Sequence, residues 1–282
     1  MTQPAVTKTL NELEELLGAR LFARGRHGAL PTAEAERFLP HAAASVAALA
    51  QAVGSVAAGA APMVLRIGVL PTVSPFVARV LAALGGGDDG AAPNALARLR
   101  VTSGANPRLI ELLRAGELDA AVGRLSDPQA LVGVTFEHLY AEPMLVVVRP
   151  AHPLLHGATP PAPAALSAWP MVLPLPGTLI RQLADGWLAG HGAAPAAGLV
   201  ETLDTALARA LLQGGGDHLW FTPASAVLPD LESGALARLP LAILPAESIG
   251  LLLPADAAPS AALAALLVAL RAEAARRRGD AA

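Results

Sequence analysis

The sequence predicts an α/β protein in which a short helix-and-hairpin module and one long helix precede two sets of alternating strands and helices. Three observations predict it. Apolar residues ahead of Gly59 recur at helical spacing. Gly59-Ala60-Ala61-Pro62 then punctuates the chain as a linker. Beyond it, short apolar strands alternate with helices to the C-terminus, the texture of a parallel sheet covered by helices.

Length and composition agree. A chain of 282 residues suits a two-lobed domain plus a small module. With 54% hydrophobic and 15% charged residues, large buried surfaces are expected and long disorder is not. A net charge of −3 exerts no global pull on nucleic acid, so any such binding must come from a local patch. The absence of Cys excludes thiolate catalysis, Cys-ligated zinc and disulfides. No apolar run approaches a membrane span, and the polar N-terminus is unlike a secretory signal, so the expected location is the cytoplasm, without membrane association.

The first helix begins at Thr2, its expected N-cap, with Pro4 in the first turn, where a missing N–H costs little. Val6, Leu10, Leu13 and Leu17 recur at 4-3-4 spacing, and Gly18 is the expected left-handed residue that ends the helix. The opposite face carries Pro4, Thr7, Lys8 and Asn11, with Gln3 on its flank. A helix entering a major groove tip first requires small or polar residues on its leading face, because acids there would meet phosphates. Gln3, Thr7 and Lys8 satisfy this, and Glu12, Glu14 and Glu15 all fall in later turns. LFARGRHGALPT follows as a small β-hairpin, on which Arg24 and Arg26 are placed to clamp phosphates or enter the minor groove. An amphipathic helix beside a basic hairpin also occurs as plain surface structure, and the residues by themselves leave both readings open.

Thr32 caps a long helix expected over Ala33 to Ala58. Leu39, Ala42, Val46, Leu49, Val53 and Val56 follow the heptad spacing of a two-helix seam, which predicts dimerisation through this helix. The alternative is an Ala-rich helix packed on its own domain. Pro40 is expected to kink it near its start.

After Pro62 the predicted strands are VLRIGV, ARLRVTS, LDAAVG, EPMLVVV, MVLPL, GLVET, HLWFT and SIGLLLP. Helices are expected from Ser74, over Pro107 to Ala115, Thr178 to Leu188 and Thr205 to Leu212, and from Pro259 to about Ala275. The final strand and helix return to the first set. The Gly-rich runs at 85–94 and 214–217 lack the form of a phosphate cradle and read as surface loops. Arg276 to Arg278 read as a solvated tail. No nucleophile elbow, HExxH or placed carboxylate pair is present, and Pro150 and Pro153 deny His152 and His156 a regular helix for metal binding. Neither an enzyme nor a cofactor is expected.

Thr2-Gln3-Pro4-Ala5-Val6-Thr7-Lys8, then Leu13-Glu14, Leu17-Gly18, Arg20-Leu21-Phe22 and Arg24, with Gly28, Leu30 and Thr32 in the wing, resemble the N-terminal signature of LysR-type transcriptional regulators. The likeness is closest to the branch regulating aromatic-acid or sugar uptake and catabolism, where QPAVTK and a VGVLPTVSP-like strand occur. Glu117-Leu118-Asp119-Ala120-Ala121 and His152-Pro153-Leu154 match further family landmarks. The resemblance implies a partial winged helix-turn-helix over 1–31, a linker helix for dimerisation over 32–59 and a periplasmic-binding-protein-like effector domain over 63–282. Lobe I of that domain is expected at about 63–141 and 247–282, and lobe II at about 142–246. It also implies that the module starts at the turn before the recognition helix, so that a helix and scaffold helix are missing, through a misassigned start or a real shortening. The implied partners are double-stranded operator DNA, a small-molecule effector such as an organic acid or sugar-related metabolite, and further copies of the chain as a homodimer or homotetramer. A shortened sensor or solute-binding protein without effective DNA binding is the alternative.

The resemblance places the effector between the lobes, where strand ends and helix starts bring together Thr72, Ser74, Asn106, Thr178, Leu179 and Thr202. Helix N-termini outside the carboxyl ends of parallel strands are suited to such ligands. Each Ser or Thr alone also reads as an N-cap. Arg124 reads equally as the partner of an anionic effector and as half of a structural salt bridge.

Overall fold

The computed structural model describes residues 3–25, 28–35, 37–39, 42, 45, 64–85, 98–125, 128–157, 159–241, 246–255 and 259–280. The chain divides into two compact units, Met1–Met63 with Arg114–Glu117, and Val64–Leu113 with Leu118–Ala282.

In the first unit, α1 spans Gln3–Leu17 and ends at Gly18, whose φ of 63° is the left-handed conformation that favours glycine. Strands β1 (Phe22–Gly25) and β2 (Gly28–Pro31) pair antiparallel, with Gly25 opposite Gly28 across a two-residue connection. Thr32 closes the hairpin and opens the next helix. Its N–H donates to Leu21 O at 2.9 Å, its hydroxyl donates to Arg20 O at 2.8 Å, and the same oxygen accepts from Ala35 N at 3.2 Å. Residues 33–35, 37–39, 42 and 45 are helical, and Leu39 is exposed. Val46, Leu49, Val53 and Val56, with Thr2, Arg26, Pro40 and the Gly59–Pro62 linker, lie outside the described residues.

Among the described residues, the second unit contains two five-stranded sheets. The first is ordered β4-β3-β5-β12-β6, from β3 (Leu65–Val69), β4 (Leu99–Ser103), β5 (Ala120–Arg124), β6 (Val134–Glu142) and β12 (Glu247–Pro254). The second is ordered β11-β7-β10-β8-β9, from β7 (Met144–Val148), β8 (Met171–Leu173), β9 (Leu199–Glu201), β10 (Leu219–Pro223) and β11 (Ala237–Arg238). The helices are α2 (Ser74–Gly85), α3 (Asn106–Arg114), α4 (Leu179–Gly190), α5 (Thr205–Gln213), α6 (Ala224–Glu232) and α7 (Ala261–Asp280).

Both sheets are mixed, which corrects the expectation of parallel sheets. β3, β4 and β5 are parallel, but β12 runs against both β5 and β6, and β10 runs against β7. The crossovers explain it. β6 carries the chain into the second lobe and β12 carries it back, so outgoing and returning strands lie side by side in opposite directions, with Glu142 paired to Glu247.

Strand periodicity builds the second lobe's core. β7 is buried throughout, and its alternate residues serve opposite faces: Met144, Val146 and Val148 pack with Leu166, Met171 and Phe221, while Leu145 and Val147 pack with Ala208, Leu212 and Val227. Each such side chain contributes about 1.5–3 kcal/mol on burial. In the first lobe, Val73, Phe76, Leu109 and Ile249 are fully buried between the sheet and its helices.

The C-terminal arginines lie within α7, where Arg276 and Arg278 are exposed but Arg277 turns inward and places its guanidinium 4.9 Å from the Phe76 ring centroid and 5.2 Å from that of Tyr140. Its Nη1 donates to Ser225 Oγ in α6 at 2.8 Å, a contact from the first lobe's last helix to the second lobe.

Candidate functional site

In the N-terminal unit, Gln3 and Pro4 form the first turn of α1, and Thr7 and Lys8 are exposed one turn later. Lys8 Nζ lies 3.8 Å from Glu12 in an exposed i,i+4 pair, a weak interaction that leaves the ammonium able to exchange partners. Arg24 lies in β1. Glu14 is the residue that sequence reasoning missed. Its buried carboxylate accepts the N–H of Leu21 at 2.8 Å and of Phe22 at 3.1 Å, and receives Arg20 Nη1 at 2.9 Å. These bonds, the one from Leu21 foremost, hold its carboxyl below the ordinary carboxylate range. They also tie the hairpin to the helix. A signal was present, because Glu14 sits one turn from Leu10 and Leu17, inside the apolar stripe.

In the second unit a crevice opens at the carboxyl ends of strands from both lobes. Thr72, in a 3₁₀ turn just after β3, lines it from the first lobe; Pro174, Thr202, Asp204, Thr205 and Thr222 line it from the second. The structure thus brings Thr72 and Thr202 to one crevice. Thr222, 1% exposed, brings a further hydroxyl-bearing side chain to the crevice. Asp204 caps α5, its Oδ1 accepting from Ala206 N at 2.9 Å and Leu207 N at 3.1 Å, and Thr202 Oγ1 accepts from Asp204 N at 2.9 Å. The amides of Ala206 and Leu207 at that helix end are therefore already engaged.

Arg124 stands behind Thr72. Its Nη1 donates to Thr72 Oγ1 at 2.9 Å and its Nη2 to Glu142 at 2.8 Å, while its Nε is buried without a partner among the described residues. Glu142 Oε2 accepts the N–H of Ser225 at 2.9 Å, and Ser225 Oγ lies 3.0 Å from Tyr140 Oη. A buried polar chain thus runs from the crevice through Arg124 and Glu142 to Ser225 and Arg277. Burial pushes the Tyr140 hydroxyl well above its ordinary range, and also raises the Glu247 carboxyl opposite Glu142.

The other expected ligands make local bonds. Asn106 holds the backbone of Arg124, donating to its carbonyl at 2.7 Å and accepting its N–H at 3.0 Å. The Ser74 hydroxyl donates to Leu70 O at 3.4 Å. Thr178 caps α4, accepting from Arg181 N at 3.3 Å, and Leu179 is exposed at the helix start. Arg181 engages Asp185, Glu201 and the Pro174 carbonyl. Asp204, Thr205, Thr222 and Glu142 were not singled out from sequence.

Among the described residues, no helix is long and apolar enough to cross a membrane. Residues 58–275 match the LysR substrate binding domain, and residues 1–36 match the bacterial regulatory helix-turn-helix protein, lysR family. The chain is 37% identical to the uncharacterised HTH-type transcriptional regulator YdcI of Escherichia coli, covering 96% of this chain and 87% of that one. It is 38% identical to the HTH-type transcriptional regulator PcaQ of Agrobacterium fabrum, over 96% and 86% of the two chains. Among solved structures, a full-length OxyR variant from Pseudomonas aeruginosa aligns with a TM-score of 0.60 at 19% identity, over 97% of this chain and 86% of that one. Full-length BenM aligns at 0.57 and 23% identity, over 98% and 89%. These matches are to transcriptional regulators rather than enzymes. The chain belongs to the LysR family of bacterial transcriptional regulators.

Proposed function

We propose that this chain is a cytoplasmic, ligand-responsive regulator that reads operator DNA with Gln3, Pro4, Thr7, Lys8, Arg24 and Arg26. It senses an organic acid or sugar-related metabolite between its lobes. It assembles as a dimer or tetramer through the helix over 32–59, with Leu39, Val46, Leu49, Val53 and Val56 in the seam. The observation that carries the sensing role is the crevice that joins Thr72 of one lobe to Thr202 of the other, backed by the buried chain through Arg124. Ser74, Asn106, Thr178 and Leu179 support it by fixing the strand-to-helix junctions that shape the crevice.

Ligand in the crevice favours one arrangement of the lobes by its differential affinity, a few kcal/mol for a useful switch. In the oligomer, that change re-spaces the DNA-reading pairs. Trp220 lines the crevice, so its fluorescence reports occupancy. Titration with organic acids and sugars should give a saturable change that Thr72→Val and Thr202→Val weaken. A change untouched by both substitutions would remove the crevice as the sensing site.

A further inference from the structure

We infer that the crevice takes a hydroxyl-rich ligand, a sugar or polyol, in preference to a carboxylate; this rests on the crevice being the effector site. The charge around it carries the argument. The described lining contains one ionic side chain, Asp204, and it is an acid. Asp204 uses Oδ1 to cap α5, and its Oδ2 accepts no hydrogen bond among the described residues, so it is free to accept from a ligand hydroxyl.

Two nearby guanidiniums, Arg124 and Arg181, are already matched by carboxylates, and Arg277, held by Ser225 and the Phe76 and Tyr140 rings, is not among the described lining. Arg124, 5% exposed, is paired with Glu142, and Glu247 stands opposite Glu142 in the β6–β12 ladder. Arg181 is held by Asp185 and Glu201. The Ala206 and Leu207 amides at the start of α5, which otherwise welcome an anion, are taken by Asp204. An incoming carboxylate would meet Asp204 without finding a cation in the described lining.

Hydroxyls find what they need. Thr72 accepts its bond from Arg124, which leaves its own O–H to donate. Thr222, almost wholly buried, adds a second hydroxyl to the lining, able to donate to or accept from a ligand. Pro174 and Ile180 supply an apolar wall for the C–H face of a sugar ring.

The test is a charge series on one hydroxyl framework: galactose, galacturonate and galactosamine, then the glucose equivalents, with benzoate and succinate beside them. Binding to the full chain is read by tryptophan fluorescence and thermal shift at low salt. A neutral hexose should saturate both signals, and its uronate should bind at least about tenfold more weakly. Asp204→Asn keeps a capping residue and should narrow that gap, as should added salt. Thr222→Val should weaken hexose binding several-fold with little change in melting temperature. A uronate, benzoate or succinate that binds more tightly than the neutral sugars overturns the ligand class and leaves the crevice reading standing, as does galactosamine bound more weakly than galactose, since Asp204 should favour a cation. Binding untouched by Asp204→Asn and Thr222→Val overturns the crevice itself. A flat response to the whole series overturns the inference.

Discussion

Arg124 and Glu142 meet at 2.8 Å with their side chains only 6% and 3% exposed, one lobe's strand end bonded to the start of the crossover into the other. Removing one member of such a buried pair leaves an uncompensated charge, a loss of about 3–5 kcal/mol. Arg124→Met alone should cost that much in urea unfolding. Pairing it with Glu142→Leu should recover a large part, because buried ion pairs barely outperform apolar replacements. If the double variant is no better than the single one, the loss comes from packing or from the Ser225 amide that Glu142 leaves without its acceptor, and not from the stranded carboxylate.

Gly250 in β12 has no room for a side chain. A Cβ there would lie 2.3 Å from the Glu137 carbonyl oxygen, a backbone atom that cannot swing away, at the register shift between Ile249 and Gly250. Gly250→Ala should therefore destabilise the effector domain by about 3 kcal/mol. Gly18→Ala, in contrast, meets no atom within 4 Å, and its φ of 63° makes strain its sole penalty, about 1 kcal/mol. Thermal unfolding of the two variants should rank them in that order.

His152 is fully buried, with its ring centroid 4.6 Å from that of Trp169 and its Nδ1 accepting the N–H of Leu154. Burial lowers its affinity for a proton below that of an ordinary histidine. The unfolded chain then binds the proton more readily, so this residue's contribution is present above about pH 6.5 and is lost as pH falls below it. Glu247 acts in the other direction: its raised carboxyl favours the folded state at acid pH, and that help fades as pH rises through its folded value. Stability measured from pH 7.5 down to 5.5 should decline less steeply in His152→Phe than in the unsubstituted chain. Identical slopes would show that His152 is not the acid-sensitive group.

Glu14 ties the wing to α1, so its loss should act on the hairpin before it acts on DNA. In Glu14→Ala the amides of Leu21 and Phe22 lose their acceptor and should exchange hydrogen faster, with α1 itself little changed. Unaltered exchange at both amides would mean that the hairpin holds its place by other contacts.

Local signals were the legible ones. The stop at Gly18 and the cap at Thr32 each rest on a residue's own chemistry, and both stand where the spacing put them. β6 escaped notice because its burial does not alternate cleanly along VTFEHLYAE, and α6 because Pro223 and Pro229 bracket and interrupt it. At the site, Thr72 and Thr202 were readable as hydroxyls at strand ends. The partner of Arg124 was not, since Glu142 lies 18 residues away and reaches Ser225 across a further 83. The crossover strands alone bring them together.

The account stands or falls on whether the polar tip of α1 reads DNA. Fluorescence anisotropy of genomic fragments enriched by the full chain tests it directly, across a salt series and with Lys8→Ala and Arg24→Ala. The account predicts binding that falls steeply with salt, and each substitution should lower both the affinity and the salt slope. Enrichment of no fragment, or binding that neither substitution changes, would contradict it.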